Sequence, residues 1–541
     1  MIEAGTQTPL GPSKATTGRQ IVAWIGGAIL FLLLATANGA GYRYGVSDQA
    51  FYIPVVEHAI NPETFPRDAA LIDAQGRLMI TDEIIAGIAR LTSVPLDAIF
   101  LAGYLLSVAL IGIALVLIGQ RISATPWVVV AILAALTLRH RIPRTSANSF
   151  EPYFHPRMLA FAVGLLAVAA MLRRRTWLSI ALVAAAGLIH VTTGLWFSIL
   201  IGVALVRLEP ALRRLAFAGT IVVVAAGAWA LSAGPLRASV TRMDAVWLQA
   251  VASKDSLFAS QWPLWAWVAN LALLALLWWA HRRRQRAGRA TAEDEALIWG
   301  ATALVAFFLL TLPLVVARLA FPVQLQISRV FWLVDVLATI YVLSSLVDRR
   351  TAKAIAIGLV IVSVSRGVYV MVVERPDRAL FSMHLSDSPW EDAMRWLSRQ
   401  PIATHVLADP GHSWKFGTSV RVSAARDVFL EDVKDSAIAI YSRDVAHRVV
   451  ERAAALGDFT TMTPERAQTL AAKYDLNYLV TEQRLDLPTA YENTQFRIYS
   501  LRTRTIEPLN LGTPEPSEPG PIHSYRSASM APILVARRAG T

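Results

Sequence analysis

Four arginines and two histidines crowd into residues 138–157, and these side chains are well suited to bind an anion. They are Arg139, His140, Arg141, Arg144, His155 and Arg157. A guanidinium offers paired donors to phosphate oxygens, so such a cluster suits a phosphate or pyrophosphate head group. The alternative is a loop whose arginines pair with Glu151 and with lipid phosphates.

The acid of greatest interest is Asp48, in the stretch Gly41-Tyr-Arg-Tyr-Gly-Val-Ser-Asp-Gln-Ala-Phe-Tyr52 just past the first long apolar run. An ionisable residue at a bilayer edge is a candidate site residue. Asp48 also precedes a helix-like segment and could simply be its N-cap. Glu57 and Asp68 follow in the same loop, where Asp68 could equally be a loop-capping acid.

Two further candidates flank other apolar runs. His190 opens the stretch His190-Val-Thr-Thr-Gly194, and Arg329 stands at the start of an apolar run. Each has an alternative: a buried histidine often serves helix packing, and a terminal arginine can extend to the interface. Both are kept as candidate ligand contacts.

The composition identifies the class of protein to which these residues belong. The chain has 541 residues, of which 55 % are hydrophobic and 17 % charged, and its mean hydropathy is +0.46. These values are typical of an integral membrane protein. The net charge of +12 is then explained by basic cytoplasmic loops and not by a nucleic-acid partner. Since there is no cysteine, disulfides, thiolate ligands and a cysteine nucleophile are excluded.

Apolar runs long enough to cross the bilayer predict a polytopic α-helical protein with about eleven spans. The predicted spans are 21–38, 96–118, 126–138, 157–172, 177–191, 193–206, 215–233, 263–280, 297–317, 328–347 and 353–373. The third to sixth are short. Residues 1–20 are polar and predicted to be disordered. A cleaved signal peptide is the alternative for the first run, but the many later spans favour an uncleaved one.

The basic clusters predict the orientation of these spans. With the N-terminus in the cytoplasm, the arginine-rich loops at 120–121, 173–175, 207–214, 281–289 and 348–353 all fall inside, as the positive-inside rule requires. The long first loop (39–94) and all residues after 373 are then extracytoplasmic. Residues 49–60, and the segment opening with Thr81-Asp-Glu83 as a helix cap, are expected to lie along the membrane surface.

The chain changes character after residue 373. Helices are predicted at Pro389–Leu397, about 435–456 and Pro464–Tyr474, with strands at Thr404–Ala408 and Asn477–Val480. This alternation predicts a small extracytoplasmic α/β domain over 374–503. Residues 504–541, rich in proline, are predicted to be a disordered tail.

This layout resembles the GT-C glycosyltransferases, multi-spanning enzymes that use polyprenyl-phosphate-linked sugars. The resemblance covers about residues 20–500 and rests on the layout and on short pieces. These pieces are Tyr44-Gly-Val-Ser-Asp48, Phe65-Pro-Arg-Asp68 and His190-Val-Thr-Thr-Gly194. The chain is also similar to bacterial membrane proteins of this layout whose activity is inferred only.

The resemblance implies a transfer of sugar from the lipid phosphate to an unidentified envelope acceptor, at the outer face of the inner membrane. Asp48 would be the general base or would orient the acceptor. Arg139, Arg141, Arg144, Arg157 and Arg329 would hold the phosphate. No second acid adjoins Asp48, so no metal ligand is assigned and a divalent metal stays an open alternative. The Trp-Trp-Asp motif of oligosaccharyltransferases does not occur in the C-terminal part, which disfavours that activity.

Two other functional classes compete with this hypothesis. A transporter or flippase would also place ions along a substrate path, although the charges gather at one face and no inverted repeat is visible. A non-catalytic scaffold could have kept the architecture. In a scaffold, Asp48→Asn would leave envelope glycans unchanged, whereas in an enzyme it would match deletion of the whole protein.

Overall fold

The computed structural model of the chain describes residues 18–76, 80–234, 236–348 and 350–501. These residues belong to one compact unit. Most of the predicted N-terminal segment and the whole predicted tail at 504–541 lie outside the described residues.

The first third of the chain alternates long apolar helices with short connecting elements. In chain order these are α1 (Gly18–Asn38), β1 (Tyr42–Arg43), α2 (Gln49–Ile60), α3 (Ala69–Gly76), α4 (Thr81–Thr92), α5 (Leu96–Ile122), α6 (Pro126–Thr137), β2 (Arg141–Ile142), β3 (Ala147–Asn148) and α7 (Pro156–Leu172). Strands β2 and β3 form a small antiparallel hairpin.

The described middle of the chain consists mainly of helices. Its helices are α8 (Thr176–Ile189), α9 (Val191–Leu208), α10 (Leu212–Ser232), α11 (Ala245–Ala250), α12 (Leu264–Arg286), α13 (Ala292–Val316), α14 (Ala320–Gln324), α15 (Val330–Leu346) and α16 (Ala352–Tyr369). Short 3₁₀ turns lie at Arg237–Val240, Ala259–Gln261 and Ile327–Arg329, and a π-helical turn at Val370–Glu374 follows α16.

Seven segments of the described chain are long and apolar enough to cross a membrane. They are α5, α9, α10, α12, α13, the stretch Ala320–Leu346 and the stretch Ala352–Glu374. Four shorter apolar helices accompany them at Trp24–Asn38, Pro126–Thr137, Pro156–Leu172 and Thr176–Ile189. These helices lie where apolar runs were predicted, and the total of eleven spans stays a prediction. The sixth predicted span is not short, because α9 has 18 residues.

Local chemistry explains where many of these helices begin. Proline occupies the first turn of α6 and α7, where its missing N–H costs nothing. At α13 the Thr291 hydroxyl accepts from the backbone N–H of Asp294, and the Asp294 carboxylate accepts from the backbone N–H of Thr291. This capping box satisfies donors that the helix itself leaves unpaired.

The last part of the chain folds around a five-stranded sheet. Its elements are β4 (Phe381–Ser382), α17 (Pro389–Ser398), β5 (His405–Leu407), α18 (His412–Lys415), α19 (Val420–Ala424), β6 (Asp427–Val428), α20 (Asp432–Ile438), α21 (Arg443–Leu456), α22 (Pro464–Tyr474), β7 (Tyr478–Thr481), β8 (Thr489–Glu492) and β9 (Arg497–Ser500). The strand order is β6-β5-β7-β9-β8. Strand β5 is parallel to β6 and β7, and β9 is antiparallel to its two neighbours.

Three local predictions need correction. The helix predicted at about 435–456 is two helices, α20 and α21, separated by a turn at residues 439–442. Helix α2 does not lie on a surface, because its apolar side chains, including Ile53 and Val56, are buried within the protein. Helix α4 does expose apolar side chains, with Leu91 88 % exposed. The N-cap residue of α4 is Ile80, so the predicted cap at Thr81-Asp-Glu83 is wrong: Asp82 and Glu83 lie in the first turn of the helix.

A parallel pairing of β1 with β4 joins the segment after α1 to the segment after α16. Gly41, at φ +79°, makes the approach possible, because a Cβ there would lie 2.6 Å from the carbonyl oxygen of Ala379. The pairing brings the residues before Asp48 next to the chain that leads into the C-terminal sheet.

Candidate functional site

Asp48 is the residue that precedes α2, and its carboxylate makes no capping hydrogen bond to that helix. Its Oδ1 lies 3.0 Å from Nζ of Lys434, and its Oδ2 lies 3.4 Å from Nε2 of His155. The side chain is 28 % exposed, so Asp48 is only partly covered by the rest of the described structure. The alternative of a plain N-cap is therefore wrong for Asp48.

Gln49 fixes the geometry of the Asp48 segment. Its Oε1 accepts from the backbone N–H of Gly45 at 2.7 Å, and its Nε2 donates to the carbonyl of Phe154 at 3.1 Å. Ser47, which lies between Gly45 and Gln49 in the sequence, has a left-handed φ of +56°. Non-glycine residues adopt this conformation rarely, and they do so where the surrounding structure imposes it. The result is that Asp48 is held beside His155.

His155 is a neutral imidazole of defined tautomer. Its Nδ1 accepts from the backbone N–H of Arg157 at 3.0 Å, so the proton is on Nε2, which faces Asp48. Burial and the charge of Arg157 lower the pKa of His155 to about 3, against the opposing effect of Asp48. The ring of Tyr52 lies edge-on to the imidazole at 4.9 Å between centroids. His155 can therefore donate a hydrogen bond to Asp48 without adding a charge.

The carboxylate of Asp48 is ionised. Burial by itself would raise its pKa, but Lys434, His155 and Arg157 more than offset burial and hold the pKa well below its ordinary value. An ionised carboxylate that accepts hydrogen bonds and remains accessible can take up a proton from a bound hydroxyl.

Arg157 lies deep beside this carboxylate, at the start of α7. Its Nη2 is 3.3 Å from Oε1 of Glu151, and its guanidinium lies over the Trp332 ring at 5.8 Å. Arg139 also reaches Glu151, at 3.8 Å. Burial raises the pKa of Glu151, and the two arginines oppose that rise. The pairing with Glu151 that was the alternative for this loop therefore occurs at Arg139 and Arg157.

Arg329 has no such partner. Within the described part of the chain its side chain forms no hydrogen bond or ion pair, and its buried Nε has no partner. It lies within electrostatic range of Arg157, Tyr441 and Asp48. The hydroxyl of Tyr441 accepts from Nε2 of Gln326 at 2.6 Å. A cation without a counter-ion beside a second cation is suited to bind an anion.

His190 belongs to the same cluster through its ring, which lies 6.3 Å from the His155 ring between centroids. Its Nδ1 is 2.9 Å from Oγ1 of Thr193 and accepts from the Thr193 backbone N–H at 3.3 Å. His190 thus caps α9, and its ring is directed towards His155.

The other arginines of the predicted cluster point elsewhere. Arg144 lies 2.6 Å from Asp255 in an exposed ion pair, and the side chain of Arg141 is exposed on the β2–β3 hairpin. His140 is 2.9 Å from Asp335. Arg141 and Arg144 therefore differ from Arg157, which is buried and pairs with Glu151. Their grouping into one phosphate-binding site stays a prediction.

Asp68 and Glu57 lie away from the contacts of Asp48. Asp68 is fully buried, 2.7 Å from Nε of Arg421 and in contact with Arg448, and these two arginines overcome burial and lower its pKa. Burial raises the pKa of Glu57 to about 8. Its Oε2 is buried without a hydrogen-bond partner in the described structure. Asp68 thus joins the first loop to the C-terminal part, which is a different place from the expected substrate contact.

Sequence analysis missed three residues of the site. Lys434 and Tyr441 come from α20 and the turn after it, and Lys254 comes from the loop after α11. Nζ of Lys254 donates to the carbonyl of Val433 at 2.9 Å, next to Lys434. No sequence signal linked these residues to Asp48, because Lys434 is 386 positions away.

The described residues contain no group of three or more His, Cys, Asp or Glu side chains placed to hold a metal ion.

No protein-family model and no curated protein matches the chain. Among solved structures, it is similar to the crystal structure of the Archaeoglobus fulgidus oligosaccharyltransferase in the apo form. The two chains are 12 % identical with a TM-score of 0.45, and the match covers 85 % of this chain and 69 % of the other.

Proposed function

We propose that this protein is a membrane glycosyltransferase that moves a sugar from a polyprenyl-phosphate donor to an envelope acceptor at the outer face of the membrane. The proposal rests mainly on one observation: the partly exposed, ionised Asp48 lies near Arg157 and near Arg329, which has no ion pair among the described residues. The carboxylate of Asp48 can accept a proton, and the guanidinium groups of Arg157 and Arg329 can hold a phosphate.

The transfer step needs only these two functions. The acceptor hydroxyl oxygen forms a bond to the anomeric carbon while the bond from that carbon to the phosphate oxygen breaks. The electron pair of the broken bond leaves with the polyprenyl phosphate, and the hydroxyl proton passes to Asp48. The leaving phosphate needs no proton, because it departs as a stable anion.

The cations supply the electrostatic part of the reaction. Charge builds up on the phosphate oxygens as the sugar leaves, and fixed donors stabilise that charge in the transition state. Arg329 is the best placed for this role, since no carboxylate forms an ion pair with it in the described structure. Arg157 also stabilises this charge, but less strongly, because its ion pair with Glu151 already balances part of its own charge.

The location of the site follows from the basic loops. If the arginine-rich loops lie in the cytoplasm, then Asp48, in the first loop, and Lys434, in the C-terminal part, are both on the outer side. The lipid donor would reach the site from the membrane, and the acceptor from the aqueous side.

The deciding experiment is Asp48→Asn in the full-length protein, expressed in a strain that lacks the gene. The enzyme hypothesis predicts that envelope glycans, measured by mass spectrometry, match those of the deletion strain at unchanged protein level. Asp255→Asn is the matched control, because Asp255 is an exposed acid in an ion pair with Arg144. Normal glycans with Asp48→Asn, in a strain where deletion changes them, would favour the scaffold hypothesis.

A further inference from the structure

Among the described residues of the C-terminal part, Lys434 is the one that forms an ion pair with Asp48. Its Nζ lies 3.0 Å from Oδ1, and its side chain is only 5 % exposed. A base that is neutralised by a lysine is held in a weakly basic state. The ion pair therefore opposes the role proposed for Asp48, unless Lys434 moves away from it when substrate binds.

The ammonium group of Lys434 has one ion pair among the described residues, and its other close neighbours include two aromatic rings. The group lies 5.7 Å from the centre of the Phe51 ring and 5.9 Å from that of Trp414, so aromatic faces flank it. Asp48 is its only ion-pair partner among the described residues. Lys254 lies behind it and repels it, as the lowered pKa of Lys254, caused by burial and then by Lys434, indicates.

The backbone that carries Lys434 is fixed at the same time. Asp435, the next residue, accepts from Nη1 of Arg421 at 2.7 Å and from the backbone N–H of Glu431 at 3.0 Å. Arg421 in turn contacts Asp68 at 2.7 Å. A fixed backbone with a flexible four-carbon side chain restricts any movement to the ammonium group.

We propose that Lys434 exchanges partners during the reaction: it pairs with Asp48 in the free protein and with the phosphate of the lipid donor in the complex. The inference rests on the proposed function, since it assumes a phosphate-bearing substrate. In the complex, Lys434 and Arg329 hold the phosphate. Asp48 keeps the neutral hydrogen-bond donor His155, loses its ion pair with Lys434 and becomes the stronger base. Binding of the donor phosphate thereby activates the base.

The exchange makes a specific prediction about binding of a polyprenyl monophosphate, the lipid product, to the full-length protein in lipid nanodiscs. Lys434→Gln is expected to weaken binding about tenfold or more, because a charge-assisted contact is lost. Asp48→Asn is expected to tighten binding several-fold, because no ion pair has to be broken first. The double variant is expected to bind as weakly as Lys434→Gln alone.

The double variant also guards against misfolding. Lys434→Gln leaves Asp48 without its cation and could destabilise the protein, whereas removing both charges leaves none uncompensated. Lys415→Gln is the control, since Lys415 is a surface lysine that pairs with Asp409. It should bind as the unchanged protein does.

Two results would overturn the exchange. One is unchanged binding in Lys434→Gln. The other is a gain in Asp48→Asn that persists in the double variant, which would mean that Asp48 merely repels the phosphate. Either result leaves the proposed function intact if Asp48→Asn abolishes the glycan product. If the unchanged protein does not bind polyprenyl phosphate at all, then the proposed function fails with it.

Discussion

Nε2 of Gln49 donates to the carbonyl of Phe154 at 3.1 Å, and this hydrogen bond joins the two segments that carry Asp48 and His155. Gln49 is fully buried, and its Oε1 is occupied by the backbone N–H of Gly45. Both the oxygen and the nitrogen of the Gln49 side-chain amide therefore form hydrogen bonds that fix the positions of these segments. The alignment of the carboxylate with the imidazole depends on a side chain that touches neither.

Replacing Gln49 by leucine should disturb that alignment. We expect a loss of stability of about 1–3 kcal/mol, because the N–H of Gly45 and the carbonyl of Phe154 lose their partner. Complementation of the glycan phenotype should fall more than protein level does. Thermal unfolding and glycan mass spectrometry measure the two effects. Gln483→Leu is the control, because Gln483 makes an exposed bond to Thr460. Equal effects of the two substitutions would contradict a positioning role.

Asp68 supports the interface between the first loop and the C-terminal part. Asp68→Asn removes a buried counter-charge that Arg421 and Arg448 share. Arg421 keeps its ion pair with Asp435, whereas Arg448 loses its one ion-pair partner among the described residues. Loss of one partner from a buried ion pair costs about 3–5 kcal/mol, so the melting temperature should drop markedly. Asp475→Asn is the control, since Asp475 is 65 % exposed in its pair with Arg67 and should change stability by less than about 1 kcal/mol. A melting temperature of Asp68→Asn close to that of the control would refute this role.

The helices were predictable because their signals are local. Helix α22 begins at Pro464 and ends at Tyr474, as predicted, since Thr463 caps it and a proline occupies its first turn. Apolar runs indicated the membrane helices for a similar reason, because a bilayer demands about twenty apolar residues in a row.

The site was predictable only in part. Asp48, His155 and Arg157, which the structure places near one another, were predicted as site residues because acids and cations stand out next to apolar runs. Proximity in sequence also suggested that Arg141 and Arg144 belong with Arg157, and that grouping stays a prediction. The β2–β3 hairpin exposes Arg141 and gives Arg144 an acid partner. Tertiary contacts of this kind, like the approach of Lys434, leave no periodicity in the sequence.

Glu57 should make stability fall as the pH rises. Burial raises its pKa in the folded protein to about 8, from an ordinary value of 4.5. Between these values the unfolded chain has lost the proton and the folded protein retains it, so the free energy of unfolding decreases with increasing pH. Glu57→Gln removes this dependence and should be more stable by about 1–3 kcal/mol at pH 8, with little difference near pH 4.

Melting curves of both proteins from pH 4 to pH 8 test this prediction. Glu63→Gln is a suitable control, because Glu63 is an exposed acid of the same loop and its substitution should leave the pH dependence unchanged. If the difference in melting temperature between Glu57→Gln and the unchanged protein were the same at all pH values, the Glu57 carboxyl would not titrate as proposed.

The arginines of the outer loops should separate into two groups by their effect on phosphate binding. Arg329→Gln removes an unpaired cation beside Asp48 and should weaken binding of a polyprenyl monophosphate about tenfold or more. Arg141→Gln removes an exposed cation on the β2–β3 hairpin and should change binding by less than about twofold, as expected for a solvent-screened charge. Titrations of the two full-length variants in nanodiscs at physiological salt measure the difference. Equal losses would mean that the phosphate is held at the hairpin and not at Arg329.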